Sequence, residues 1–105
     1  MGDTTLAPQP VSIERFRRLA EAWRQQRGLT SSLTEMALTA AYQEIIGMGP
    51  AAIPFLLEEL KREPDHWFWA LRCISGVDPV PRDAQGSLIA MSDAWLEWGQ
   101  QQGYC

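Results

Sequence analysis

The run DHWFWALR, from Asp65 to Arg72, places three consecutive large aromatics in what the surrounding pattern makes a short helix. Successive helical residues sit about 100° apart, so Trp67, Phe68 and Trp69 fan over roughly 200° and cannot all rest on one neighbour. This element needs at least two covering surfaces. On a helical wheel Trp67, Ala70, Leu71 and Ile74 share one face, while Trp69 and Cys73 share nearly the opposite one. The second cover is either another element of the chain, foremost the C-terminal helix with Trp95 and Trp98, or a partner. Core aromatics are commoner than exposed ones, so the internal cover is the expectation. In the other case Trp69, Phe68, Trp98 and Arg72 are the candidate partner-binding residues, tryptophan and arginine being enriched at binding hot spots.

The rest of the chain reads as helices separated by Pro and Gly. MGDTTLAPQPVS contains two prolines and no periodicity, so residues 1–12 are expected to be a flexible arm and residues 13–105 a single domain. After Ser12, a candidate N-cap, IERFRRLAEAWRQQR aligns Ile13, Phe16, Leu19, Ala20 and Trp23 on one face, and Gly28 stops it. Ser32 and Glu35 have capping-box spacing, which predicts a second helix from Leu33 through MALTAAYQEIIG. Its apolar residues cover more than one face, as in a central helix.

Pro50 and Pro54 suit the first turn of a third helix that carries Ile53, Leu56, Leu57 and Leu60. Pro64 ends it, Asp65 is the natural cap of the fourth, and Gly76 closes that one. VDPVPRDAQG is a loop whose valines can pack down on the body. A fifth helix follows, with Leu88, Met91, Trp95, Trp98 and Gly99 on one face and Gly103 at its end. No segment alternates as a half-buried strand does. The expected fold is all-α, about five helices in a compact orthogonal bundle. Trp67, Leu71 and Ile74 should meet Leu56, Leu60 and Ile45 at its centre.

The stretch IPFLLEELKREPDHWFWALRCISG, residues 53–76, resembles one HEAT-type helical hairpin. Pro54, the leucine row Leu56, Leu57 and Leu60, Asp65 at the turn, and then Ala70, Leu71 and Ile74 occupy the places such a unit requires. The departure is the bulk of Trp67, Phe68 and Trp69, where the resemblance implies small residues. HEAT-like proteins are generally scaffolds, so the resemblance implies protein binding rather than chemistry and names no partner. The sequence has no second copy of the unit.

Charge and composition narrow the function classes. The chain has 105 residues, a net charge of −4 and 46% hydrophobic content, as expected of a globular domain with its own core. The charge is unevenly spread. Residues 1–27 hold five arginines against three carboxylates, whereas residues 28–105 hold four basic residues against ten acidic ones. An acidic body disfavours a broad nucleic-acid surface. The alternative function, a nucleic-acid-associated accessory factor, would therefore rest on Arg15, Arg17, Arg18 and Arg24 of the first helix. The expectation for that helix is docking onto the body through Phe16, Leu19 and Trp23, with the arginines at the rim.

Cys73, Cys105 and the lone His66 match no metal or redox spacing, so neither metal nor cofactor is expected. Glu58, Glu59 and Glu63 have the spacing of a solvated face rather than a catalytic pair, and GMGP at 47–50 is a helix stop rather than a phosphate cradle. No membrane span or signal peptide is expected. The sequence thus reads as a cytoplasmic, non-enzymatic protein-binding module, such as an adaptor, an inhibitor or an antitoxin-like regulator.

Overall fold

The computed structural model describes residues 13–104; the expected N-terminal arm, the Ser12 cap and Cys105 lie outside the described residues. The fold is all-α. Among the described residues six α-helices follow in order: α1 (Ile13–Arg27), α2 (Leu33–Ala37), α3 (Ala40–Gly47), α4 (Ile53–Arg62), α5 (Phe68–Ser75) and α6 (Leu88–Gln102). Short 3-10 turns at Gly49–Ala52 and Arg82–Ala84 lead into α4 and α6.

α1 has the bounds its periodicity predicts. Phe16, Ala20 and Trp23 are buried, while Ile13 at the exposed end and the half-buried Leu19 contribute less. Gly28 ends the helix with φ +55°, a left-handed conformation that costs glycine little.

The single helix expected from Leu33 to Gly47 is two helices. The chain breaks at Leu38 and Thr39, and α1 supplies the reason. The Trp23 indole N–H donates to the Met36 carbonyl at 2.9 Å, and the Gln26 side-chain oxygen accepts from the Ala41 amide at 3.0 Å. Thr39 caps α3, accepting from the Tyr42 amide, and its hydroxyl donates to the Met36 carbonyl. The Gln43 side-chain Nε2 closes the set by donating to the Ala37 carbonyl at 2.7 Å. Every backbone group named here that the break removes from the ladder thus has another partner, which removes its main cost.

Ser32 does cap α2, its hydroxyl accepting from the Glu35 amide, but Glu35 does not reach back directly. The Thr30 hydroxyl donates to the Glu35 carboxylate and accepts from the Ser32 amide, so it relays the return half of the box.

α5 starts two residues later than its sequence suggests. Asp65 does not cap it: its carboxylate accepts from the His66 amide and pairs with Arg27 at 3.3 Å. The helix has no side-chain cap of its own. Tyr42 of α3 takes over that task, its hydroxyl accepting from the Ala70 amide and donating to the His66 carbonyl, both at 3.0 Å. Replacing Tyr42 by Phe strands a buried N–H and a C=O and should cost about 1–3 kcal/mol in a urea melt.

Burial pushes the Tyr42 hydroxyl well above its ordinary pKa near 10, with the Ala70 amide pulling in the opposite direction. The protonated form is the one the fold retains. Its contribution is complete below pH ~10 and is lost as pH rises toward the folded-state value. Melts from pH 8 to 11.5 should show an alkaline loss of stability in the wild-type chain that is smaller in Tyr42→Phe.

The core runs through all six helices. Trp67 is its hub, with ring centroids 4.3 Å from Trp23, 5.6 Å from Tyr42 in a stacked pair, and 6.2 Å from Phe16. Leu56, Leu60, Ile45 and Leu71 are buried around it as expected, while Ile74 is half-buried at the margin. Of the loop valines, Val80 packs down and Val77 stays exposed. In α6 Trp95 and Gly99 are buried as the wheel predicts. Ser92 joins them, while Ile89 on the flank is exposed.

Candidate binding cleft

The three aromatics of the opening run end in three different environments. Trp67, just before α5, is fully buried; Phe68 is 9% exposed; Trp69 is 37% exposed, with Cys73 exposed one turn on. The expected internal cover by the C-terminal helix is incomplete: Met91 and Trp95 of α6 reach the recess that Trp69 lines, yet Trp69 stays 37% exposed and Cys73 exposed. α6 packs chiefly on α4, and this leaves a gap beside α5 where the sequence reading placed a lid.

That gap is a cleft of about 200 Å³. Leu33 and Ala37 of α2 form one wall, and Met91 and Trp95 of α6 the other. Tyr42, Phe68, Trp69 and His66 line it from α3 and the start of α5, and Arg72, Asp78 and Gln85 supply its polar groups. His66 meets Phe68 edge-on, with ring centroids 6.3 Å apart. Arg72 and Asp78 form a loose, solvent-exposed pair at 3.8 Å. An engineered cavity of about 150 Å³ accepts a benzene ring, so this cleft is sized for one apolar side chain rather than a large cofactor.

Of the four partner-binding candidates, Trp69, Phe68 and Arg72 come together here, and Trp98 does not. Trp98 lies on another side of α6, edge-on to Trp95 at 5.3 Å and stacked on Tyr104 at 5.6 Å. It lines a separate open groove with Pro79, Pro81, Asp93 and Glu97. The sequence reading missed Leu33, whose signal was an apolar residue in the first turn of a capped helix. It also assigned Met91 and Trp95 to the core alone.

The arginines of α1 divide into two groups. Arg24 reaches Glu59 at 2.8 Å and Glu63 at 3.8 Å, and Arg15 pairs with Glu44 at 3.5 Å. Arg27 lies over the Trp23 ring, 4.6 Å from its centroid, and also binds Asp65. Arg17 and Arg18 are exposed and have no ion pair among the described residues.

Glu59 corrects the expectation of a solvated acidic face on α4. It is 3% exposed, held between Arg24 of α1 and Arg62 of its own helix. Among the described residues no group of three His, Cys, Asp or Glu side chains is placed to hold a metal ion, and no helix is long and apolar enough to cross a membrane. Comparison with protein-family models, curated proteins and solved structures finds no match to this chain.

Proposed function

We propose that this protein is a small, non-enzymatic protein-binding module, acting in the cytoplasm as an adaptor, an inhibitor or an antitoxin-like regulator. The observation that carries the reading is the cleft beside Trp69, an aromatic-lined recess with the exposed Leu33 at its edge. Exposed apolar surface next to a pocket is the usual form of a protein-recognition hot spot. The HEAT-like character of residues 53–76 is part of the same proposal, supported by the consecutive helices α4 and α5 and their inward leucine row.

Trp69→Ala separates this function from the fold. The substitution should lower stability by about 1 kcal/mol or less while weakening partner binding by about 2 kcal/mol or more. Affinity purification from the native host with wild-type and Trp69→Ala baits tests it. A stoichiometric protein retained by the first and lost by the second supports the reading, and retention by both places the partner surface elsewhere.

The second reading, a nucleic-acid accessory factor, draws on Arg17 and Arg18, which are exposed and have no ion pair among the described residues. Two phosphate contacts give a salt slope of only about −2 for duplex DNA. A salt-sensitive association with nucleic acid that Arg17→Glu and Arg18→Glu abolish and Trp69→Ala leaves intact would favour it.

A further inference from the structure

We infer that the Trp69 cleft binds a free amino acid with an apolar side chain of leucine or phenylalanine size, held as its zwitterion by Arg72 and Asp78. The inference goes beyond the protein-binding reading and does not depend on it. It adds a small-molecule ligand, whose side chain would take the place of a partner's anchor.

The interior of the cleft selects the side chain. Leu33, Phe68, Trp69 and Met91 line a recess of about 200 Å³, which holds one leucyl or phenyl group, and the methionine adapts to either shape. A polar side chain would lose its water there and gain no fixed partner from these four residues.

The charges select the head group. Among the described residues that line the cleft, Arg72 is the one arginine or lysine and Asp78 the one carboxylate. Their side chains are 53% and 40% exposed, which puts both at the mouth. Arg72 belongs to α5 and Asp78 to the loop that follows it, and the pair stands 3.8 Å apart, too long for a strong hydrogen bond. An α-amino acid carries an ammonium and a carboxylate on one carbon, so it offers each of these groups its opposite at once. A simple acid would suit Arg72 but set a second anion beside Asp78. A simple amine would suit Asp78 but set a second cation beside Arg72. Those like-charge contacts discriminate against both, and a ligand with the two charges together avoids them.

Isothermal titration calorimetry of the whole chain with phenylalanine tests this. The comparison ligands are hydrocinnamate, which lacks the ammonium, phenethylamine, which lacks the carboxylate, and glycine, which lacks the ring. Phenylalanine should bind at least about fivefold more tightly than each of the three. Arg72→Gln should erase its advantage over the amine, and Asp78→Asn its advantage over the acid. Both positions are exposed, so urea melts of the two variants should match the wild type. Equal affinity for phenylalanine and either singly charged analogue, or advantages that survive both substitutions, overturns the zwitterion inference. So does the absence of saturable phenylalanine binding up to about 10 mM. Glycine binding as tightly as phenylalanine overturns the placement of the side chain in the cleft.

Discussion

Trp67→Ala should destabilise the protein by about 3–5 kcal/mol, the range for deleting a large aromatic from a packed core. Trp67 is fully buried, and its ring meets Phe16, Trp23 and Tyr42, so one substitution loosens the junction of α1, α3 and α5. Aromatic pairs add about 0.5–1.5 kcal/mol beyond the area they bury, which argues for the upper part of that range. The Trp67 indole N–H has no hydrogen-bond partner among the described residues, so removing it breaks none of their bonds. Against a typical total of 5–15 kcal/mol, a loss of this size leaves a marginal fold. Urea melts of Trp67→Ala and Trp67→Phe measure it; Phe should recover part of the loss. A cost below 1 kcal/mol for Ala would mean that the junction is not the hub of the core.

Arg24→Ala should cost about 1.5–3 kcal/mol, because it takes one of two guanidinium partners from a nearly buried carboxylate and leaves Arg62 to hold it. The Glu59 side chain is 4% exposed. Its remaining partner, Arg62, is 55% exposed and sits at the surface end of the pair. The effect should persist in 0.5 M salt, since buried pairs are poorly screened. Replacing both partners by apolar residues, Arg24→Met with Glu59→Leu, should recover most of the loss, because the stranded charge goes with its partner. If Arg24→Ala costs under 1 kcal/mol, α1 is held by its apolar stripe alone.

The two substitutions probe features of unequal legibility in the sequence. α1 and α6 could be read almost to the residue, because each has an unbroken apolar period, a polar start and a glycine stop. The break between α2 and α3 could not be read. It depends on Trp23 and Gln26, which lie more than ten residues upstream and form their bonds only once α1 has docked. The late start of α5 has the same origin, since Asp65 is drawn to Arg27 and Tyr42 arrives from α3 to serve as the cap. Local capping rules describe a helix in isolation, and here tertiary partners compete for the same groups.

The cleft was half legible. The wheel separated Trp67 from Trp69, and the partner-binding candidates Phe68 and Arg72 line the cleft with it. It could not fix where α6 would lie, because the Met91 and Trp95 stripe is compatible with covering either α5 or α4. The fold places α6 chiefly on α4, and the Trp69 face stays partly open as a result.

The second aromatic face is partly open in the native chain, and Cys73 reports on it directly. With Cys105 changed to Ser, a single thiol remains, and its reaction with a thiol reagent can be followed in native buffer and in strong denaturant. Native labelling should be prompt, within a few fold of the unfolded rate, with no acceleration when the residues from Ser87 onward are deleted. Protection in the native chain that lifts only on unfolding or on removal of α6 would contradict it. That result would put Trp69 beneath a lid and the partner surface elsewhere.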